Sequence, residues 1–270
     1  MATENPLGRS TPVSEHYDPD VLFAIPRQQG REPLGLVAGA LPFQGEDVWH
    51  AWEVSWMGPQ GKPEICVGRL RIPCTSPHLI ESKSLKLYLN SLNQAVFSDQ
   101  AEVNRVITED LSSTAGAPVE VELLALNSEL LNIRDLPGFC LDGLDPSTVP
   151  QQPDPGLLQV TEEEVEEVVY SHLLRSLCPV TAQPDWATLI VSYSGKKILP
   201  QDLLAYILSF RRHQEFHEQC VERIFCDLLA RAQPKELSVQ ALYTRRGGLD
   251  INPFRSLDEN SAPCRRSARQ

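Results

Sequence analysis

The sequence predicts an α+β protein made of two tandem copies of one unit, strand–strand–helix–helix–strand, with antiparallel sheets. Three observations carry that prediction. Apolar helical stripes recur at an offset of 118 residues (203 − 85 for the leading leucines), a strand pair precedes each pair of stripes, and an alternating strand follows each. Composition agrees, since 270 residues at 41% apolar and 22% charged can bury the core of one or two domains.

Residues 1–45, rich in Pro and Gly, read as an N-terminal extension. The start Met1-Ala2-Thr3-Glu4-Asn5-Pro6 lacks the basic and apolar regions of a signal peptide. Asp47 to Trp56 reads as a strand, Gly58-Pro59-Gln60-Gly61-Lys62-Pro63 as a turn, and Ile65 to Ile72 as the returning strand. Leu85, Tyr88, Leu89 and Leu92 fall at i, i+3, i+4 and i+7, one apolar face of a helix. Val103, Val106, Ile107 and Leu111 mark a second helix. Val119, Val121 and Leu124 begin the strand that closes the first unit, residues 46–132. Residues 133–160, with Pro137, Pro146, Pro150, Pro153 and Pro155, read as a linker.

The second unit spans residues 161–253. Its opening is ambiguous. Thr161-Glu162-Glu163-Glu164 has capping-box spacing, and Val165, Val168 and Val169 fit a helical stripe. Val168 to Leu174 also fits a strand, and symmetry with the first unit favours the strand. Trp186 to Tyr193 is its partner. Leu203, Tyr206, Ile207 and Phe210 then repeat the first stripe, and Val221, Ile224, Phe225 and Leu229 the second. Leu237, Val239 and Leu242 repeat the closing strand. Residues 254–270 read as a basic tail, with Arg265, Arg266 and Arg269 in solvent.

Charge and cysteine usage exclude several classes. A net charge of −12 argues against a general nucleic-acid coat, because phosphates would be repelled. The charge is uneven: residues 244–270 hold six Arg and three acids, a balance of +3, which leaves −15 on the rest. A basic end suits a small polyanion such as a phosphorylated cofactor. Seven cysteines, none in Cys-x-x-Cys spacing, point to reduced thiols and a cytoplasmic setting. No apolar run approaches the roughly 18 residues of a membrane span.

The two copies differ where polar residues sit. The first has Glu81-Ser82-Lys83-Ser84-Leu85-Lys86 where the second has Leu199-Pro200-Gln201-Asp202. The second has His217-Glu218 where the first has Asp99-Gln100. Such complementary losses point to one composite site drawn from both halves. Cys178 precedes a loop held by Pro179, Pro184 and Trp186 that brings a thiol near Asp185. A free thiol of pKa about 8.5 is only about 3% thiolate at pH 7, so a nucleophile needs help from its surroundings. The other six cysteines read as inert. His213, His217 and Cys220 share the i, i+4, i+7 face of a helix and are a weak zinc candidate. Val221 stands where the zinc-protease pattern needs a second His, so no metal is expected. Neither Gly-x-Gly-x-x-Gly nor a phosphate-loop motif occurs. Arg245-Arg246-Gly247-Gly248 offers instead cations beside glycines that admit a ligand closely.

Four segments in order now combine: Glu81-Ser82-Lys83-Ser84-Leu85-Lys86-Leu87-Tyr88; Ser176-Leu177-Cys178-Pro179 with Gln183-Pro184-Asp185-Trp186; Phe216-His217-Glu218; and Thr244 to Pro253. They resemble the NADPH-dependent 7-cyano-7-deazaguanine reductases, the QueF family, in its long two-module form. Tyr17-Asp18-Pro19 and Ile25-Pro26-Arg27 add to the likeness. The resemblance implies a tunnelling fold (T-fold) with two modules per chain, a homodimer, and no zinc, unlike the related GTP cyclohydrolase I. It implies reduction of the nitrile of 7-cyano-7-deazaguanine by NADPH in queuosine biosynthesis, with no nucleic acid or membrane as partner. By resemblance Cys178 attacks the nitrile carbon to give a thioimide, and Asp185, held partly protonated, protonates the nitrogen. Ile80, Glu81, Ser82, His217 and Glu218 would hold the base, whose adjacent N–H donors suit carboxylates. Ser82, Lys83, Arg246 and Gly247 would contact the cofactor. Two rivals stay open: a thiol nitrile or amide hydrolase with His217 as base, and a non-catalytic purine-binding module.

Overall fold

A computed structural model describes residues 16–270; residues 1–15 of the expected extension, with the Met1–Pro6 start, lie outside the described residues. After β1 (Ala24–Pro26) and the single-turn α1 (Gln28–Arg31), β2 (Gln44–Met57) and β3 (Pro63–Pro73) form a long hairpin. A short β4 (His78–Ile80) leads into α2 (Ser82–Ser91) and α3 (Gln100–Ala115), and β5 (Glu120–Leu124) follows. The two-residue β6 (Phe139–Cys140) lies in the segment expected as linker. Then β7 (Val160–Leu177), β8 (Pro184–Ile198), α4 (Pro200–Ser209), α5 (His217–Ala232) and β9 (Glu236–Tyr243) repeat the order, and β10 (Leu249–Ser256) ends it. The ambiguous opening at Thr161 is strand. Its acids are spent across the hairpin, Glu162 on Lys196 and Glu163 on Lys197. Among the described residues no helix is long and apolar enough to cross a membrane.

The apolar stripes do what their spacing predicts. Leu85, Tyr88, Leu89 and Leu92 are buried in one core with Val103, Ile107 and Leu111. Leu203, Tyr206, Ile207 and Phe210 are buried in a second with Val221, Ile224 and Phe225. The repeat extends to polar contacts. Tyr88 donates to Asp110 and Tyr206 to Asp227, each at 2.6 Å, and Ser91 and Ser209 bond back to the carbonyls of those two tyrosines.

The eight longer-range strands form one sheet, ordered β5-β3-β2-β10-β9-β8-β7-β6, antiparallel except at β6–β7. The central β10 was not anticipated; Pro253 and its alternating polar residues hide it in the sequence. Gly247 and Gly248 turn the chain into it at φ +58° and +81°, angles that glycine adopts without strain. β10 then pairs with β2 along Leu249–Ser256 and with β9 at Phe254–Ser256, and so joins the two halves. Leu249 and Ile251 enter the first core, while Asp250 and Asn252 face the other way and are also buried.

What covers that polar side is the C-terminal segment, which corrects the expectation of a solvated tail. Gln270 is buried and its Nε2 donates to Asn252 Oδ1 at 2.6 Å. Arg266 and Arg245 lie over the Trp52 ring at 4.2 and 4.6 Å, Arg265 donates to Gln240, and Arg269 donates to the His172 carbonyl. Stacking on Trp52 and a bond to buried Gln240 make Arg266 and Arg265 half-buried, whereas Arg269 stays exposed as expected.

Residues 16–45 are tied in as well. Arg31 forks onto Glu222 of α5 (Nε to Oε2 2.9 Å, Nη2 to Oε1 2.7 Å), and Arg27 reaches Asp47 of β2 at 2.5 Å. Arg255 of β10 bridges Asp47 and Glu222, both at 2.8 Å. Five buried charges thus link the N-terminal segment, both halves and the central strand.

Candidate active site

Cys178 directly follows β7, where its N–H donates to the Gln183 carbonyl at 2.9 Å and its carbonyl accepts from Ala182 at 3.0 Å. Ala182 closes this loop in the left-handed region, at φ +54°, which marks a constrained turn. Leu177 N–H donates to the His213 carbonyl, fixing the end of β7 against the segment before α5. Asp185, on β8, lies opposite Ser176 in the hairpin register and is 4% exposed. Strand pairing therefore puts thiol and carboxyl at one end of one hairpin.

α5 begins at His217, so His217 and Glu218 occupy its first turn. The His217 ring stacks on Tyr243 of β9 with centroids 3.9 Å apart, and its Nε2 is 3.6 Å from Asp185 Oδ2. Arg246 donates to Asp185 Oδ1 through Nη1 and to Gln183 Oε1 through Nη2 at 2.7 Å. Burial pushes the Asp185 carboxyl up, but His217 and Arg246 together outweigh it and hold the pKa below the ordinary value. The expected partly protonated acid is thus a carboxylate here, because two cation-capable side chains face it.

Glu218 shows the opposite balance. It is 3% exposed; burial, with Asp47 nearby, pushes its carboxyl up to about 7 against the pull of His217 and Arg27. Glu81 is the N-cap of α2 and accepts from the backbone N–H groups of Lys83 (2.8 Å) and Ser84 (2.7 Å). Burial raises its pKa against those donors. A cap normally stabilises a helix by about 1 kcal/mol. Here the same bonds also fix the carboxyl's direction, and each oxygen keeps a lone pair for a ligand.

All ten residues singled out in the sequence line one cavity of about 220 Å³: Ile80, Glu81, Ser82 and Lys83 from the first half, and Cys178, Asp185, His217, Glu218, Arg246 and Gly247 from the second. Sequence reasoning missed its apolar walls. Ile25 comes from β1, Trp49 from β2, and Leu249 and Ile251 from β10. Ile25, Leu249 and Ile251 lay inside quoted segments without a role, and Trp49 was one of three tryptophans in its strand, with nothing to single it out. Lys86, quoted in the first motif without a role, also lines the cavity and pairs with Glu53 at 3.3 Å.

The zinc candidate dissolves. His213 precedes α5 and pairs with Glu215 at 2.9 Å, while Cys220 is buried in the second core. The helical face assumed for the three residues does not include His213.

Groups of opposite charge drawn from both halves line one cleft round a buried thiol, the arrangement of an enzyme active site. Its family follows from comparison. Residues 13–123 match the family described as "Nitrile reductase, 7-cyano-7-deazaguanine-reductase N-term", and residues 184–262 match "QueF-like protein". A protein of Chromohalobacter salexigens named NADPH-dependent 7-cyano-7-deazaguanine reductase is 53% identical over 258 residues, 96% of this chain and 93% of that one. Proteins of the same name from Dechloromonas aromatica (53% over 261 residues) and an Azoarcus species (50% over 260) each share 96% of this chain and 92% of their own. The chain belongs to the 7-cyano-7-deazaguanine reductase family of nitrile reductases.

Proposed function

We propose that this chain reduces the nitrile of 7-cyano-7-deazaguanine to the aminomethyl group with NADPH, through a covalent adduct on Cys178, in queuosine biosynthesis. The observation that carries this reading is the convergence of all ten motif residues on one cavity, in a chain half identical to reductases of that name.

The ionised state of Asp185 gives the proton path. Adding a thiol across a nitrile moves one proton from sulfur to nitrogen. A carboxylate beside the thiol takes that proton first, which frees the thiolate to attack the nitrile carbon. The resulting carboxylic acid then returns the proton to the nitrogen, and the thioimide is complete with no net proton exchanged. Asp185 thus serves as base and then acid. Arg246 and His217 keep it ready for the first role. An anionic ligand that draws Arg246 away removes one of the two groups that hold Asp185 ionised, and so favours its protonated form.

NADPH supplies hydride two electrons at a time, so the four-electron change from nitrile to amine uses two equivalents. The chain fits this cofactor. Lys83, Lys86 and Arg246 put three cations along the same cavity, and Gly247 at φ +58° has no side chain to block phosphate approach. Ser82 adds a hydroxyl. Glu81 and Glu218 accept the N–H groups of the base, with Ile80 against its face. We read the fold as two tunnelling-fold modules in tandem, joined as a homodimer in the cytoplasm. The outer edge of β5, and β7 beyond its two-residue pairing with β6, support this, because open sheet edges bind further strands.

The test mixes protein, 7-cyano-7-deazaguanine and NADPH and follows reduced-nicotinamide absorbance. Two equivalents consumed per amine formed are expected. Ammonia release without NADPH use would instead select the hydrolase, and binding without turnover the passive module.

Glu218 gives a pH prediction. A neutral acid accepts fewer N–H bonds than a carboxylate, so KM for the deazaguanine should rise as pH falls below about 7, by up to about tenfold per unit. Stability runs the other way. Since its folded pKa exceeds the ordinary 4.5, Glu218 favours folding when protonated and costs stability as pH rises from 4.5 to about 7. Glu218→Gln should therefore lose substrate affinity yet melt higher than wild type at pH 8. A variant that melts no higher, or a KM flat between pH 6 and pH 8, would count against this role.

A further inference from the structure

Outside the active site, one group of chemically distinct ligating side chains comes together among the described residues: Cys140, Asp142 and His172, with one donor atom of each within 4.8 Å of the others. They come from two places. Cys140 lies in β6 and Asp142 just after it, while His172 is on β7.

The surroundings are organised around the three donors. His172 Nδ1 contacts Thr188 Oγ1 at 2.8 Å, and with the proton on Nδ1 the other ring nitrogen presents its lone pair outward. Tyr170 packs edge-on against the His172 ring at 5.4 Å and lies opposite Cys140 in the strand register. Asp142 Oδ1 accepts from Ser171 Oγ at 2.6 Å and from His172 N–H at 3.1 Å. Its Oδ2 accepts only the long 3.2 Å contact from the same N–H, which leaves that oxygen able to ligate. His172 and Asp142 are therefore each oriented by a neighbour, as in built metal sites.

We infer that Cys140, Asp142 and His172 form a site for a zinc-type divalent cation, with a fourth position open to water. Sulfur, imidazole nitrogen and carboxylate oxygen together select a borderline-soft ion over magnesium or calcium. Donors round tetrahedral zinc lie about 3.3–3.6 Å apart, so side-chain rotations that close about 1 Å complete the set. Binding exchanges the Cys140 thiol proton for the metal: the S–H bond breaks, the S–metal bond forms and one proton goes to solvent. The thiolate and Asp142 then balance the dication.

The ion acts as a staple. β6 pairs with β7 through two residues, Phe139↔Val169 and Cys140↔Tyr170, and the bonds of Asp142 to Ser171 and His172 with buried Leu141 extend that attachment of the long connection between the halves. A cation tying Cys140 and Asp142 to His172 anchors that connection on the strand that runs on to Cys178.

The test uses the full chain with Cys178→Ala, which removes the active-site thiol as a competing ligand. Stripped protein is titrated with Co²⁺ and followed by thiolate-to-cobalt charge-transfer absorption. One equivalent should bind, Zn²⁺ should displace it, and Zn²⁺ should raise Tm. Adding Cys140→Ser or His172→Gln should weaken binding about a hundredfold or more and abolish the zinc-dependent Tm rise, with circular dichroism in chelator unchanged. Absence of a stoichiometric band overturns the proposal, and so does a band that survives both substitutions.

Discussion

Cys178→Ala is expected to lower nitrile reduction by about 10⁴-fold or more, the scale on which losing a covalent nucleophile acts. The deazaguanine should still bind within a few-fold of wild type. Its proposed contacts run to Glu81 and Glu218, and alanine in a site already 93% buried leaves only a small space. Mass spectrometry before any reductant is added gives the direct measurement. Wild type should carry one substrate mass on the peptide holding Cys178, and the variant none. Cys178→Ser should behave like alanine, because a hydroxyl of far higher pKa gives Asp185 too weak an acid to deprotonate. Undiminished NADPH consumption in either variant would remove the covalent mechanism.

Glu222→Ala should destabilise the fold more than any single change at the cavity. Glu222 is 2% exposed and accepts from both Arg31 and Arg255, themselves 3% and 0% exposed. Removing it leaves Arg31 with only the Cys74 carbonyl and puts two buried guanidiniums against the single Asp47 carboxylate that Arg255 retains, a loss on the order of 3–5 kcal/mol. For a chain of this size that is a fall in Tm of about 6–20 °C. Glu222→Gln should fall in between, since it keeps an acceptor but not the charge. Burial raises the Glu222 carboxyl, but Arg255 and Arg31 outweigh burial and hold its pKa below 4.5. Its contribution is therefore present above pH 4.5 and is lost as acid protonates it, so variant and wild type should converge in stability toward low pH. An unchanged Tm at pH 7 would show that the cluster is neutral to stability.

Both residues teach something about what a linear reading reaches. Cys178 was found because its chemistry is local: a thiol, two prolines and an aspartate within eight positions. The pairing of Glu222 with Arg31, 191 residues away, left no local trace. The same divide runs through the site. Its polar residues carried legible chemistry, whereas Ile25, Leu249 and Ile251, though inside quoted segments, are ordinary apolar residues whose place in the wall depends on β1 and β10 being delivered there.

Helical stripes, hairpins and the ten motif residues were legible because they are written in short-range periodicity and in side-chain chemistry, and neither needs a partner to be seen. Folding alone set the join through β10, the half-burial of Arg265 and Arg266, the ionised state of Asp185 and the meeting of Cys140 with His172. Those features arise from desolvation and from contacts between distant segments. A residue's charge and partners depend on which groups surround it once water has left, and no stretch of sequence contains that arrangement.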